Sequence, residues 1–179
     1  MNKKDAVLES ALTLFSKVGY NNVSMDEIAR HARVAKGTLY YHFKDKKKLF
    51  ENACDHFFMK FQKDVTAATA SIPDPRKRFI AATVISMRYL LNKIDDIHIF
   101  LTGHIRSRKK GDPLIRKVLD TVEQGLLGIG ISPEEAHNRT PVITSIVMTI
   151  FPASQSGFIT DLEAYFASVE KTLVRILGD

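Results

Sequence analysis

Residues 23–43 read VSMDEIARHARVAKGTLYYHF, two short helix signals set around a tight break. Ser24 followed by Glu27 forms a capping box: the Ser oxygen satisfies a free amide of the first turn and the Glu side chain reaches back. Met25, Ile28, Ala29 and Ala32 then fall on one apolar face, and Arg30, His31 and Arg33 point elsewhere. After Val34 a second helical turn opens around Ala35, Lys36 and Gly37, and the missing side chain of Gly37 lets backbone approach another surface closely. Leu39 and Phe43, four apart, anchor this second helix to a core. Lys36, Thr38, Tyr40, Tyr41 and His42 are left on or near its exposed side. That is how the second helix of a helix-turn-helix is built. The first helix braces across a DNA backbone while the N-terminal residues of the second reach base edges in the major groove.

Outward from this stretch, Val7, Leu8, Ala11, Leu12, Phe15 and Val18 repeat at helical spacing from Lys3, and Gly19 is the expected C-cap. Residues 19–22 form a turn leading to Val23, which staples the next helix start. On the other side Asp45 is an N-cap for a long fourth helix carrying Leu49, Phe50, Ala53, Cys54, Phe57, Phe58 and Phe61. Lys46, Lys47 and Lys48 stand at its start against the helix dipole, a local cost that phosphate contact would offset. The 179 residues carry a net charge of +6. Residues 1–48 hold ten Lys and Arg against five Asp and Glu, and the rest hold sixteen against fifteen. A basic head on a balanced body is the footprint of a nucleic-acid binder, although a basic face is also commonly just solvated.

The run MDEIARHARVAKG at 25–37, followed by TLYYHFKDKKKLF at 38–50, resembles the DNA-binding head of the tetracycline-repressor (TetR) family of bacterial transcription regulators. The resemblance covers the first quarter to third of the chain; the remainder is similar to that family only in length and all-helical character. It implies an all-α fold of about nine helices. Residues 1–46 would form a three-helix head with a helix-turn-helix, and residues 47–179 a larger ligand-binding and dimerisation body. It further implies that Lys36, Gly37, Thr38 and Tyr41 lie nearest the bases and that Ser24, Tyr40, His42 and Lys46 hold phosphates. A helical hairpin packed inside some other protein is the alternative reading of the same stretch.

The body reads as helices throughout. Asp74 with Pro75 opens a helix through Leu91, and a second apolar segment follows from Ile94 to Ile105. Arg106 to Gly111 is a solvated loop, and Asp112-Pro113 opens a helix whose period is expected to dissolve at Gly125, Gly128 and Gly130. Ser132-Pro133-Glu134-Glu135 starts an almost wholly apolar helix through Phe151, and Thr160 with Glu163 forms a capping box for the last one. These two C-terminal helices hold more apolar surface than a small body covers, which suggests an oligomer interface; the resemblance implies a two-fold four-helix bundle. Its residues would be Val142, Ile146, Ile150, Tyr165, Val169 and Leu173. The same resemblance implies a small-molecule pocket, with Phe61, Thr83, Met87, Phe100, His104, Met148 and Phe151 as candidates. Individually, Met and Phe at helical spacing are core residues more often than ligand contacts.

Several classes are disfavoured. One cysteine, Cys54, excludes an internal disulfide and fits a reducing cytoplasm. No apolar segment has the length of a membrane span or of a signal peptide's apolar region. His98 and His104 near Asp95 and Asp96 suit no single helical face, so no metal and no cofactor is expected. No nucleophile-base set, paired carboxylates or phosphate-cradling glycine loop is visible, which argues against an enzyme. The expected protein is a cytoplasmic, homodimeric, ligand-responsive repressor of a palindromic operator. A DNA-binding adaptor whose body binds a partner protein is the other reading.

Overall fold

A computed structural model describes residues 2–92 and 113–178. Among them every regular element is helical: α1 (Lys3–Val18), a 3₁₀ turn (Tyr20–Asn22), α2 (Met25–His31), α3 (Lys36–His42), α4 (Lys46–Thr69), α5 (Pro75–Asn92), α6 (Pro113–Gly128), α7 (Pro133–Gln155) and α8 (Leu162–Leu177). The expected segment Ile94–Ile105, the basic run after it and Asp112 lie outside the described residues. No described helix is long and apolar enough to cross a membrane. Packing divides the described residues into two compact units, 2–63 on one hand and 64–92 with 113–178 on the other.

In the first unit α1, α2 and α3 pack on one another. Two seven-residue helices have too few turns to hold themselves, so tertiary burial fixes them. Ile28, Leu39, Phe43, Leu49 and Phe15 are almost fully buried together with Val7 and Ala11. Phe15, Tyr20 and Phe50 form an aromatic trio with centroids 5.1–5.4 Å apart, so the 3₁₀ turn and the start of α4 lock onto α1. The caps fall where the sequence puts them. Gly19 ends α1 at φ +91°, its N–H donating to the Phe15 carbonyl, and Asp45 accepts from the Lys48 N–H at 2.8 Å. Cys54 is buried, as a core residue.

In the second unit α5, α6, α7 and α8 enclose a core of Ile80, Met87, Leu126, Ile143, Val147, Ile150, Phe166, Val169 and Leu173. Arg88 ties α5 to α8, its guanidinium donating to both Glu163 oxygens at 2.5 and 2.6 Å while lying 4.1 Å from the Phe166 ring centroid. This pair explains a correction. The last helix is capped by Asp161, whose carboxylate accepts from the Ala164 N–H at 3.0 Å, and no Thr160–Glu163 box forms. Glu163 is committed to Arg88, and Asp is at least as good a cap as Thr. A second correction concerns Gly125, which does not dissolve α6. A Cβ there would stand 2.6 Å from the Phe79 ring, so this glycine lets α6 close on α5. The chain turns only after Gly128, with Gly130 at φ +85°.

Candidate nucleic-acid interface

The capping box at the start of α2 is complete. Ser24 Oγ accepts from the Glu27 N–H at 3.2 Å, and Glu27 accepts from the Ser24 N–H at 2.7 Å and its hydroxyl at 2.6 Å. These bonds hold the Glu27 carboxyl below its ordinary pKa. Val23 and Ile28, the two staple positions, are both buried. α2 ends at Ala32, and Arg33 and Val34 reverse the chain. The Val34 N–H donates to Ala29 at 3.0 Å and the Arg33 N–H to Arg30 at 3.1 Å.

α3 begins after Ala35, which offers no side-chain cap. Leu39 and Phe43 turn inward, and Lys36, Gly37, Tyr40, Tyr41 and His42 are exposed, with Thr38 half-buried. Tyr41 is 84% exposed, and its ring makes a T-shaped contact with that of His42, centroids 5.1 Å apart. Gly37 has ordinary helical backbone, and a Cβ built there meets no atom within 4 Å. Nothing among the described residues therefore requires glycine at this position.

Two of the expected contacts are already engaged. Lys36 Nζ donates to Asp26 Oδ2 at 2.8 Å across the turn, and this hydrogen bond raises its pKa. Sequence reasoning placed Lys36 but missed Asp26, ten residues away on the other helix. Lys46 Nζ sits 4.5 Å from the Tyr20 ring centroid and 3.5 Å from the Asn21 carbonyl oxygen, and burial lowers its pKa. Lys46 thus braces α4 against the 3₁₀ turn, and the more exposed cations beside it are Lys44, Lys47 and Lys48.

The candidates for a pocket are distributed. Thr83 and Met87 are buried on α5, Met148 is half-buried on α7, and these helices pack together. Phe61 lies on α4 in the first unit. Phe100, His104 and the side chain of Phe151 lie outside the described residues, as does the His98 pairing. Among the described residues no group of three or more metal-ligating side chains occurs. The six interface candidates also divide. Val142 is half exposed and Ile146 and Tyr165 partly so, whereas Ile150, Val169 and Leu173 are closed inside the unit's own core. The apolar stripes of α7 and α8 serve first to cover α5 and α6.

Residues 7–53 match the family model described as bacterial regulatory proteins, tetR family. Over 50 residues the chain is 42% identical to the biofilm operon icaADBC HTH-type negative transcriptional regulator IcaR of Staphylococcus aureus (strain Newman), a match covering 28% of this chain and 27% of that one. The curated similarity thus spans about a quarter of that regulator's length. The fold is similar to the transcriptional regulator FadR from Bacillus subtilis, solved in complex with stearoyl-CoA, at TM-score 0.69 and 17% identity over 95% of this chain and 97% of that one. It is also similar to AibR, solved with isovaleryl coenzyme A and operator DNA, at TM-score 0.66 and 21% identity over 96% and 97%. The head at residues 7–53 is thus similar to the DNA-binding head of the tetR family of bacterial regulatory proteins, and beyond it the likeness is one of fold.

Proposed function

We propose that this protein is a homodimeric transcription repressor, acting in the cytoplasm, that binds a palindromic operator through residues 1–46 and is released by a small molecule bound in residues 47–179. The observation that carries the DNA-binding part is the pairing on α3 of a glycine that no contact among the described residues demands with a tyrosine 84% exposed. The glycine costs a free protein helix stability, and both residues are useful to one that presses a helix into a groove. Lys36, Gly37, Thr38 and Tyr41 face the bases, and Tyr40 and His42 the phosphates. Lys36 exchanges Asp26 for an acceptor on DNA. Ser24 and Lys46 act mainly by holding α2 and α4 in place.

A single seven-residue helix reads few base pairs, and a second head one helical turn along the duplex completes the site. The exposed apolar residues of the body support pairing through α7 and α8, with Val142 and Val174 at the surface and Ile146 and Tyr165 beside them. For the ligand, the support is the packed face of α5 and α7. Met87 is buried in that core and Thr83 is buried on α5, and among the described residues the buried hydroxyl of Thr144 on α7 has no hydrogen-bond partner. A ligand releases DNA only by binding the DNA-incompetent state better, and about 1.4 kcal/mol of preference changes the ratio tenfold. The test is a gel shift on the DNA upstream of the protein's own gene, with and without stearoyl-CoA and isovaleryl-CoA, the ligands of two proteins sharing this fold. A sequence-specific shift that either ligand reverses supports the whole reading. A shift that neither reverses removes these ligands, and no shift at all removes the repressor.

A further inference from the structure

Arg33 is the one residue other than glycine with a positive φ among the described residues, at +54°. The reason is the way α2 stops. The Val34 N–H bonds to the Ala29 carbonyl and the Arg33 N–H to that of Arg30, the paired bonds of a Schellman motif with Arg33 at its left-handed position. Glycine takes that position without strain, and any residue with a Cβ is penalised there. Among the described residues nothing compensates the arginine: its side chain is exposed and makes no ion pair or hydrogen bond there. It stands two residues before Ala35, at the corner that leads into the N-terminal end of α3. A strained residue whose long cationic side chain holds nothing among the described residues points to a contact outside the chain.

We infer that Arg33 binds a phosphate of the operator backbone beside the end of α3 that enters the groove. This rests on the DNA-binding reading above and adds a residue to it. The guanidinium suits a phosphate because its planar fork donates two parallel hydrogen bonds, and the corner of a helix-turn-helix runs along the strand flanking the bases being read. Such a contact fixes register and carries no sequence preference of its own.

The experiment compares the full-length wild type with Arg33→Gly and Arg33→Lys. Fluorescence anisotropy follows binding to a duplex that the wild type selects from random DNA and to an unrelated duplex, across a salt series. Each phosphate contact contributes about 0.9 to the slope of log K against log salt, so about eightfold between 1 M and 0.1 M. Arg33→Gly should lose about 0.9 of slope per head and bind both duplexes more weakly by the same factor, while melting at or above the wild-type temperature because the backbone is relieved. Arg33→Lys should keep the slope. Unchanged affinity and slope in Arg33→Gly, with the wild type binding normally, overturns the inference and leaves the repressor standing, as does a lower melting temperature in Arg33→Gly. A wild type that selects no duplex overturns both.

Discussion

Replacing Gly37 by alanine should move stability and DNA binding in opposite directions. In the free protein a methyl at this position meets no atom within 4 Å and the backbone is already right-handed helical, so no strain or clash is added. Alanine restricts the unfolded chain and favours the helix by about 0.5–1 kcal/mol over glycine. Gly37 is the second residue of α3, where the helix is least complete, so the lower figure applies. That corresponds to a rise in melting temperature of about 1–2 °C for a chain of this size. On DNA the same methyl lies on the surface that approaches the groove. Pushing α3 outward by even part of a methyl radius lengthens the contacts of Lys36, Thr38 and Tyr41, and losing one good base contact costs about 1–3 kcal/mol. Anisotropy with the selected duplex should therefore show at least about a fivefold weaker complex for a slightly more stable protein. Equal binding with raised stability would refute the close approach of Gly37. Lowered stability would refute the structural premise.

Gly125→Ala should act the other way, destabilising by about 1–3 kcal/mol because its Cβ would overlap the Phe79 ring; chemical denaturation should show this without change in DNA affinity of the folded fraction. Ser24→Ala removes the side-chain half of the α2 capping box, leaving the residue 24 N–H to Glu27, and should cost about 1 kcal/mol, read as a melting temperature lower by about 2–4 °C, with the salt slope of DNA binding unchanged if Ser24 caps the helix and does not hold a phosphate. The Arg88 hydrogen bonds hold the Glu163 carboxyl below its ordinary pKa. A depressed carboxylate contributes stability that is present above the unfolded-state pKa and lost as pH falls through the folded one. The melting-temperature gap between wild type and Glu163→Gln should thus be constant near neutral pH and close below the ordinary glutamate range, and a gap that widens in acid would contradict the pairing.

The head was legible because its determinants are local. Ser24 with Glu27, Asp45 and Gly19 act within three or four residues of themselves, and Leu39 with Phe43 mark the buried side of α3 by spacing alone. What the spacing could not carry was the partnering of exposed side chains across elements. Asp26 holding Lys36, Tyr20 receiving Lys46 and Arg88 reaching Glu163 span 10, 26 and 75 residues, and no periodicity encodes them. The last of these decided a local matter too, since Glu163 held by Arg88 left the final helix to be capped by Asp161. Gly125 was misread for a related reason. In sequence a glycine marks weak helix, and only the position of Phe79 reveals a close approach. In the body, an apolar stripe on α7 or α8 does not say which neighbour it faces, which is why Ile150, Val169 and Leu173 were grouped with the surface-exposed Val142.

Selection of bound sequences from random duplex DNA by the full-length protein tests the central claim most directly. The enriched pool should converge on an inverted repeat whose half-sites lie one helical turn or a multiple of it apart, bound by two copies of the chain. A pool that shows no consensus, or that converges on a single unrepeated site bound by one copy, would contradict it.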